Sequence, residues 1–269
     1  MRRVLLATLA AIAIVTNAWA IDPGLYGIQS WNDGNKGLYR IDPNTGAATL
    51  LTITDKDPSL SGASFLRGEL YVTDVMNWVP GVGYVPYCHL DTDTGVFTGI
   101  HDQDGDFNWH GLASSDALGV TWAVAQDIQG GHNMTLVETD LDGNMTTIGP
   151  STIDGRGMAY DDTHGILYAT NYDDSGLYTI DINSGAATYI GDTGVRCDLV
   201  GLAYDEWTQT LYLNEADVTD SLYTVDVNTG VATLVGANGH PWIDGLAWIP
   251  EPSSLGLLAL GALSALRRR

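Results

Sequence analysis

Three aspartates, Asp154, Asp198 and Asp244, each stand within three residues of a glycine that opens a short apolar stretch, and His110 holds the same place in a further copy of that pattern. Carboxylates and an imidazole at matching positions can supply a general acid and a base or nucleophile, the pairing that glycoside hydrolysis uses. Residues of the same types also cap strand ends, and both readings stand at this point. A second group is Asp102-Gln103-Asp104-Gly105-Asp106. The alternating carboxylates Asp102, Asp104 and Asp106 around a glycine suit a hard cation such as Ca2+, although no glutamate closes the loop as in an EF-hand. A solvated acidic loop has the same composition. The third group is aromatic: Trp31, Trp78, Trp109 and Trp242, with His110 beside Trp109. Tryptophans beside carboxylates and amides present an apolar platform with polar rims, the general form of a small-ligand or sugar site. The same rings can instead wedge between packed sheets. The chain shows no serine elbow, no H-E-x-x-H zinc motif and no glycine-rich phosphate loop.

The elements that must position these residues form a repeat. Leu38-Tyr39-Arg40-Ile41-Asp42-Pro43-Asn44-Thr45-Gly46 returns as Leu177 to Gly185 and again as Leu222 to Gly230. Weaker copies surround Asp91 and Asp140. A second motif precedes the later copies, with its glycine at Gly62, Gly111, Gly157, Gly201 and Gly245. A third strand lies between the two, as in Leu167-Tyr168-Ala169 and Leu211-Tyr212-Leu213. Each unit therefore has about four strands in roughly 45 residues, the length of a propeller blade. The aspartate bonds the turn backbone and the glycine takes positive φ, which suits a hairpin. By the same chemistry Asp140-Leu141-Asp142-Gly143-Asn144 reads as a turn and not as a cation loop.

The first unit lacks its glycine-led strand, while Gly245 to Trp248 stands alone after the last unit. Joining that strand to the first unit closes a ring of five complete blades. The expected fold is all-β, a five-bladed β-propeller with almost no helix. In such a ring the Asp-x-Asn-Thr-Gly hairpins share one face. The loops from one blade to the next emerge on the other, carry Asp154, Arg156, Arg196, Asp198, Trp242 and Asp244, and differ between units. Variable loops on a rigid scaffold are where function usually sits.

Residues 21–249 carry 32 acidic and 6 basic side chains, a net charge of −26. A domain this acidic repels phosphate backbones, which argues against a nucleic-acid partner. Cys88 and Cys197 make no disulfide framework. The register puts them in blades that are not neighbours, so no bridge is expected.

The two ends speak about destination. Arg2 and Arg3 precede an apolar run from Val4 to Val15, then Ala18-Trp19-Ala20. That is the layout of a secretion signal, too short for comfortable spanning, with cleavage expected after Ala20. Residues 1–20 are thus read as a signal peptide, 21–249 as the propeller and 250–269 as a sorting tail. The tail reads Pro250-Glu251-Pro252-Ser253-Ser254, an apolar run Leu255 to Leu266, and Arg267-Arg268-Arg269. This order of motif, short apolar segment and basic stop resembles the PEP-CTERM sorting signal of Gram-negative bacteria. The resemblance implies processing by an exosortase, only transient membrane contact through the tail, and delivery to the cell surface or an exopolysaccharide matrix. The expected function is a non-enzymatic surface or matrix protein whose propeller binds a glycan or a surface protein, without cofactor unless Ca2+ occupies the acidic loop. An extracytoplasmic glycan-active hydrolase or lyase using the channel-mouth aspartates is the alternative.

Overall fold

The computed structural model describes residues 22–30, 36–55, 60–74, 78–79, 83–84, 87–100, 107–127 and 134–250. Every regular element among them is a β-strand, as segments rich in tyrosine, leucine, valine and threonine favour. The compact unit that contains them runs from Ala20 to Glu251.

Blade 1 contains β1 (Gly24–Gln29), β2 (Gly37–Ile41) and β3 (Ala48–Ile53). Blade 2 contains β4 (Leu60–Leu66) and β5 (Glu69–Asp74), then a small hairpin of β6 (Trp78–Val79) and β7 (Gly83–Tyr84), then β8 (Tyr87–Leu90) and β9 (Phe97–Gly99). Blade 3 is β10 (Phe107–Ser115), β11 (Val120–Asp127), β12 (Met134–Thr139) and β13 (Met145–Pro150). Blade 4 is β14 (Gly155–Asp161), β15 (Ile166–Asn171), β16 (Gly176–Ile180) and β17 (Ala187–Asp192). Blade 5 is β18 (Val200–Asp205), β19 (Thr210–Glu215), β20 (Ser221–Val225) and β21 (Ala232–Ala237). The last strand, β22 (Ile243–Ile249), does not start a sixth blade. It pairs antiparallel with β1, from Gly24 opposite Ile249 to Gln29 opposite Ile243, and completes blade 1 as its innermost strand. The inner strands touch in the order β22, β4, β10, β14, β18 and back to β22, so the ring is closed. Five four-stranded antiparallel blades and the C-terminal closure agree with the reading of the repeat.

The inner strands need their glycines because they meet backbone to backbone. A Cβ on Gly62 would lie 2.3 Å from the Leu112 nitrogen, and one on Gly201 would lie 2.3 Å from the Asp244 carbonyl oxygen. No side chain fits there at ordinary packing density. Aromatic rings then fill the gaps between blades. Trp122 packs on Tyr160, Tyr168 on Tyr204, and Tyr212 on Trp248, each pair bridging neighbouring blades.

The hairpins behave as turn chemistry requires, and they also join the blades. Oδ1 of Asp42, Asp181 and Asp226 accepts the amide two residues on, at 2.9, 2.7 and 2.8 Å. Gly46, Gly185 and Gly230 take φ near +80°, where a β-carbon is costly. Each of these glycines also rests on a glycine in the outer strand of the preceding blade. A Cβ on Gly191 would come 1.9 Å from the Thr229 carbonyl oxygen, and one on Gly236 2.1 Å from that of Thr45. The paired glycines thus let one blade's hairpin dock on its neighbour. Asp140 accepts from Asp142 and Asn144, confirming it as a turn residue.

These bonds make stability depend on pH. The five aligned carboxyls, Asp42, Asp91, Asp140, Asp181 and Asp226, all sit below the usual aspartate range. The turn amides account for this, except at Asp140, where the Asn144 side chain leads. A lowered folded-state value adds stability above the unfolded value and loses it as pH falls through the folded one. Burial raises Glu206 and Asp220, two groups that act in the opposite sense. The net expectation is a melting temperature that falls once pH drops below about 4, the ordinary aspartate range. A scan of melting temperature against pH checks this, with a shallower acid slope expected in Asp226→Asn.

Cys88 and Cys197 are buried, in blade 2 and in the loop before blade 5. Burial raises the Cys197 thiol to about 11.

Candidate functional site

Strand direction sorts the connections onto two faces. The turns after the inner strands, the repeated hairpins, the start at Asp22–Pro23 and the exit at Pro250 share one face, called here the turn face. The blade-to-blade loops and the connections between second and third strands share the other, the loop face. Among the described candidates, His110, Asp154, Asp198, Trp242 and Asp244 lie toward the loop face, and the structure treats them unequally.

The best-assembled group joins blades 3 and 4. His110 lies at the bend of β10, and its Nδ1 stands 2.9 Å from Oδ1 of Asp154. The other carboxylate oxygen of Asp154 accepts from Nη2 of Arg156, also at 2.9 Å. The Asp154 amide donates to Oδ1 of Asn171 at 3.1 Å, which fixes the loop that carries it. The Arg156 guanidinium lies 4.8 Å from the ring centroid of Tyr172, a cation–π distance. Tyr172 is 43% exposed, whereas His110 and Asp154 are largely buried. Burial alone would raise the Asp154 carboxyl, but the His110 bond and the Arg156 charge outweigh it and hold the group below its usual range. Asp154 is therefore an anion at neutral pH, suited to orienting His110 and Arg156 and unsuited to donating a proton.

The other two aspartates are held differently. Asp198 accepts from Nη2 of Arg196 at 2.6 Å, and the same guanidinium also pairs with Asp217. Asp244 is buried and accepts from Ser30 Oγ at 2.7 Å. With the Gln29 side chain bonded to the Pro241 carbonyl at 2.7 Å, that contact ties the blade-closing strand to β1. Asp244 is thus part of the ring closure and not a residue of an open mouth, because no solvent reaches it.

The tryptophans need a correction. Trp109 is wholly buried among Leu66, Leu112 and Val137, with its ring 5.6 Å from Tyr87 of blade 2. It cannot serve as a solvent-facing platform, because alternation along β10 sends it between blades. Trp242 is half-buried, at φ +63°, with its amide bonded to Asp220. Trp31, the acidic loop with Asp102, Asp104 and Asp106, and Glu251 and Pro252 of the tail lie outside the described residues, as do residues 1–20, where a signal peptide is expected. Trp78 is placed only as part of the backbone of β6.

Sequence reasoning missed two features. One is Tyr172, whose position after β15 had no counterpart in the repeat. The other is on the turn face, where an acid follows three successive inner strands. Asp116 accepts the Arg67 amide at 2.6 Å, Asp162 accepts the Asp116 amide at 3.1 Å, and Glu206 accepts the Thr163 hydroxyl at 2.6 Å. Each carboxylate staples its blade to the one before. The signal was present as Ser115-Asp116, Asp161-Asp162 and Asp205-Glu206 at matching positions. Together with Ser64, Ser114, Trp248 and Pro250 these acids line a small solvent-open cavity of about 80 Å3.

A family model of the PEP-CTERM protein-sorting motif matches residues 249–269. The chain carries a PEP-CTERM sorting signal. It is therefore an exported, cell-surface protein and a substrate for exosortase processing, with a five-bladed propeller as its folded part. The match begins at Ile249, the last residue of β22, so the PEP-CTERM signal directly abuts the fold. No curated protein matches the chain. Among solved structures, a chain in a crystal structure of a nidogen/laminin complex aligns with a TM-score of 0.54 and 14% identity. The alignment covers 84% of this chain and 98% of that one, and it speaks to fold alone. A protein of unknown function from Bacteroides caccae aligns with a TM-score of 0.45 and 11% identity, over 79% of this chain and 72% of that one.

Proposed function

We propose that the PEP-CTERM protein is a non-enzymatic binding module of a Gram-negative cell surface or matrix, and that its loop face binds an extracellular polysaccharide. One observation carries the reading. The described fold begins at Asp22 and ends at Pro250, both on the turn face, and the sorting signal continues the chain from there, so a tether through it favours loops directed outward. On that outward face Tyr172 offers an exposed ring over Arg156, beside the fixed anion Asp154. An aromatic surface with a charged rim matches the apolar and hydroxyl faces of a sugar. A hydrolase would need one carboxyl kept protonated near neutral pH. Asp154 is shifted the other way and does not supply that acid. Trp31, Trp78, Trp242 and His110, and Ca2+ at Asp102, Asp104 and Asp106, would supply further contacts to such a ligand.

The test is co-sedimentation of the processed protein with the host's own exopolysaccharide, with Ca2+ and with a chelator. Saturable binding is expected, weakened about tenfold in Tyr172→Ala, the loss of one stacking contact of ~1–1.5 kcal/mol. Release of shortened glycan, or binding indifferent to every loop-face substitution, would sink the reading.

A further inference from the structure

The turn of blade 5 carries a side chain that the fold does not need. Trp207 is 90% exposed, more than any other large apolar side chain among the described residues. It sits in the turn after β18, held outward by its own amide bonded to Asp205 Oδ1 at 2.9 Å and by Thr208 Oγ1 on Oδ2 at 2.5 Å. The equivalent positions in blades 4 and 3 are Thr163 and Ala117, in turns of the same form. A threonine and an alanine therefore suffice for the turn, and the indole has no packing reason to be there. Leu118, 56% exposed, projects from the corresponding turn of blade 3.

The position of these side chains relative to the chain exit supplies a reason. Glu206, next to Trp207, and Asp116, near Leu118, line the same turn-face cavity as Pro250. Between Pro250 and the apolar run that begins at Leu255 lie four residues, Glu251 to Ser254. Even fully extended, five peptide steps reach only about 17 Å. While the tail is uncut, Pro250, at the exit on the turn face, is thus held within that distance of wherever the apolar run is inserted. Indole rings prefer the boundary between water and hydrocarbon. We propose that the turn face lies against the lipid bilayer before the tail is cut, with Trp207 entering the headgroup region as its anchor.

The same face carries opposing charge. The exposed hairpin carboxylates Asp42, Asp91, Asp181 and Asp226 surround the inner turns, and they repel anionic lipid over a Debye length of about 8 Å at physiological salt. The contact therefore forms on zwitterionic lipid and weakens as anionic lipid is added, with recovery in high salt. Trp207 and the carboxylates thus make the pre-cleavage state sensitive to lipid composition. This inference rests on the tether and not on the polysaccharide reading, and the two fail separately.

The experiment uses residues 21–269, with the signal segment removed and the tail uncut, in phosphatidylcholine vesicles whose acyl chains are brominated near the headgroup, with tryptophan emission as readout. Bromolipid quenching is expected in the unmodified chain, lost in Trp207→Phe and retained in Trp242→Phe, which alters the loop face. Adding phosphatidylglycerol should lower the quenching, and salt should restore it. Quenching that survives Trp207→Phe but disappears in Trp242→Phe would put the loop face on the membrane and overturn the proposal. A chain that floats with the vesicles without any quenching would do the same, leaving the sorting enzyme as the partner of this face. A chain that fails to float would remove the tether on which the proposal stands.

Discussion

A chain stopped at Trp242 is expected to show no cooperative unfolding transition, whereas one stopped at Pro250 is expected to unfold in a single cooperative step. The difference is β22. It buries Ile243, Leu246 and Ile249 completely or nearly so, between β1 of its own blade and the inner strands of blades 2 and 5. Fully burying three such side chains stabilises by roughly 5–9 kcal/mol. That is comparable to the whole net stability of a typical domain, about 5–15 kcal/mol. Without β22 the inner edge of β1 also loses its hydrogen-bond partner, and Ser30 and Gln29 lose Asp244 and the Pro241–Trp242 loop as an anchored unit. Denaturant titrations of the two chains, followed by circular dichroism, make the comparison. A synthetic peptide covering 240–250 should restore the transition to the shorter chain. Equal midpoints and slopes for the two would show that the ring does not depend on its latch.

The second large effect is expected from one methyl group. Gly201→Ala would place a Cβ 2.3 Å from the Asp244 carbonyl oxygen and 2.6 Å from the Leu246 nitrogen. Both neighbours are backbone atoms of β22, with Leu246 paired to Gly27 and Asp244 at the adjoining register shift, so neither yields by a rotamer change. Overpacking against backbone should cost about 3 kcal/mol, which lowers the melting temperature of a domain this size by roughly 10 °C. Gly239→Ala is the control, since Gly239 has φ +75° and open space around it. It suffers only the left-handed strain, about 1–2 kcal/mol. If the two variants melt together, the inner-strand contact is looser than its geometry implies.

Most of the architecture was legible because repetition makes a weak signal strong. One Asp-x-Asn-Thr-Gly stretch predicts a hairpin, but five aligned aspartates and five aligned glycines predict a ring, and the orphan strand at Gly245 predicts how it closes. The glycines were read for their φ, which was half of the reason. Their other role, letting Gly230 rest on Gly191 across a blade boundary, needs three-dimensional proximity that no single repeat displays. The site was less legible for the same cause. His110 and Asp154 were placed near one channel mouth, and they do meet, but the Arg156–Tyr172 stack depends on a loop that occurs once. Trp109 was placed in a binding platform by composition, yet a one-residue alternation along β10 decides that it points between blades while His110 does not.

The latch also sets an order of events. Secreted chains cross the membrane from their N-terminus, so β1 arrives outside long before its partner. Ser30 and Asp244, which touch in the finished ring, are 214 residues apart in sequence. Blades 2 to 5 have all four of their strands in hand as each emerges, but blade 1 must wait with an open inner edge until the final segment is through. The sorting signal follows that segment with no spacer, since the matched motif starts on the last residue of the strand. Completion of folding and presentation of the cleavage signal are thereby one event in time, and a chain stalled in transit offers the processing enzyme neither a closed ring nor a tail to cut.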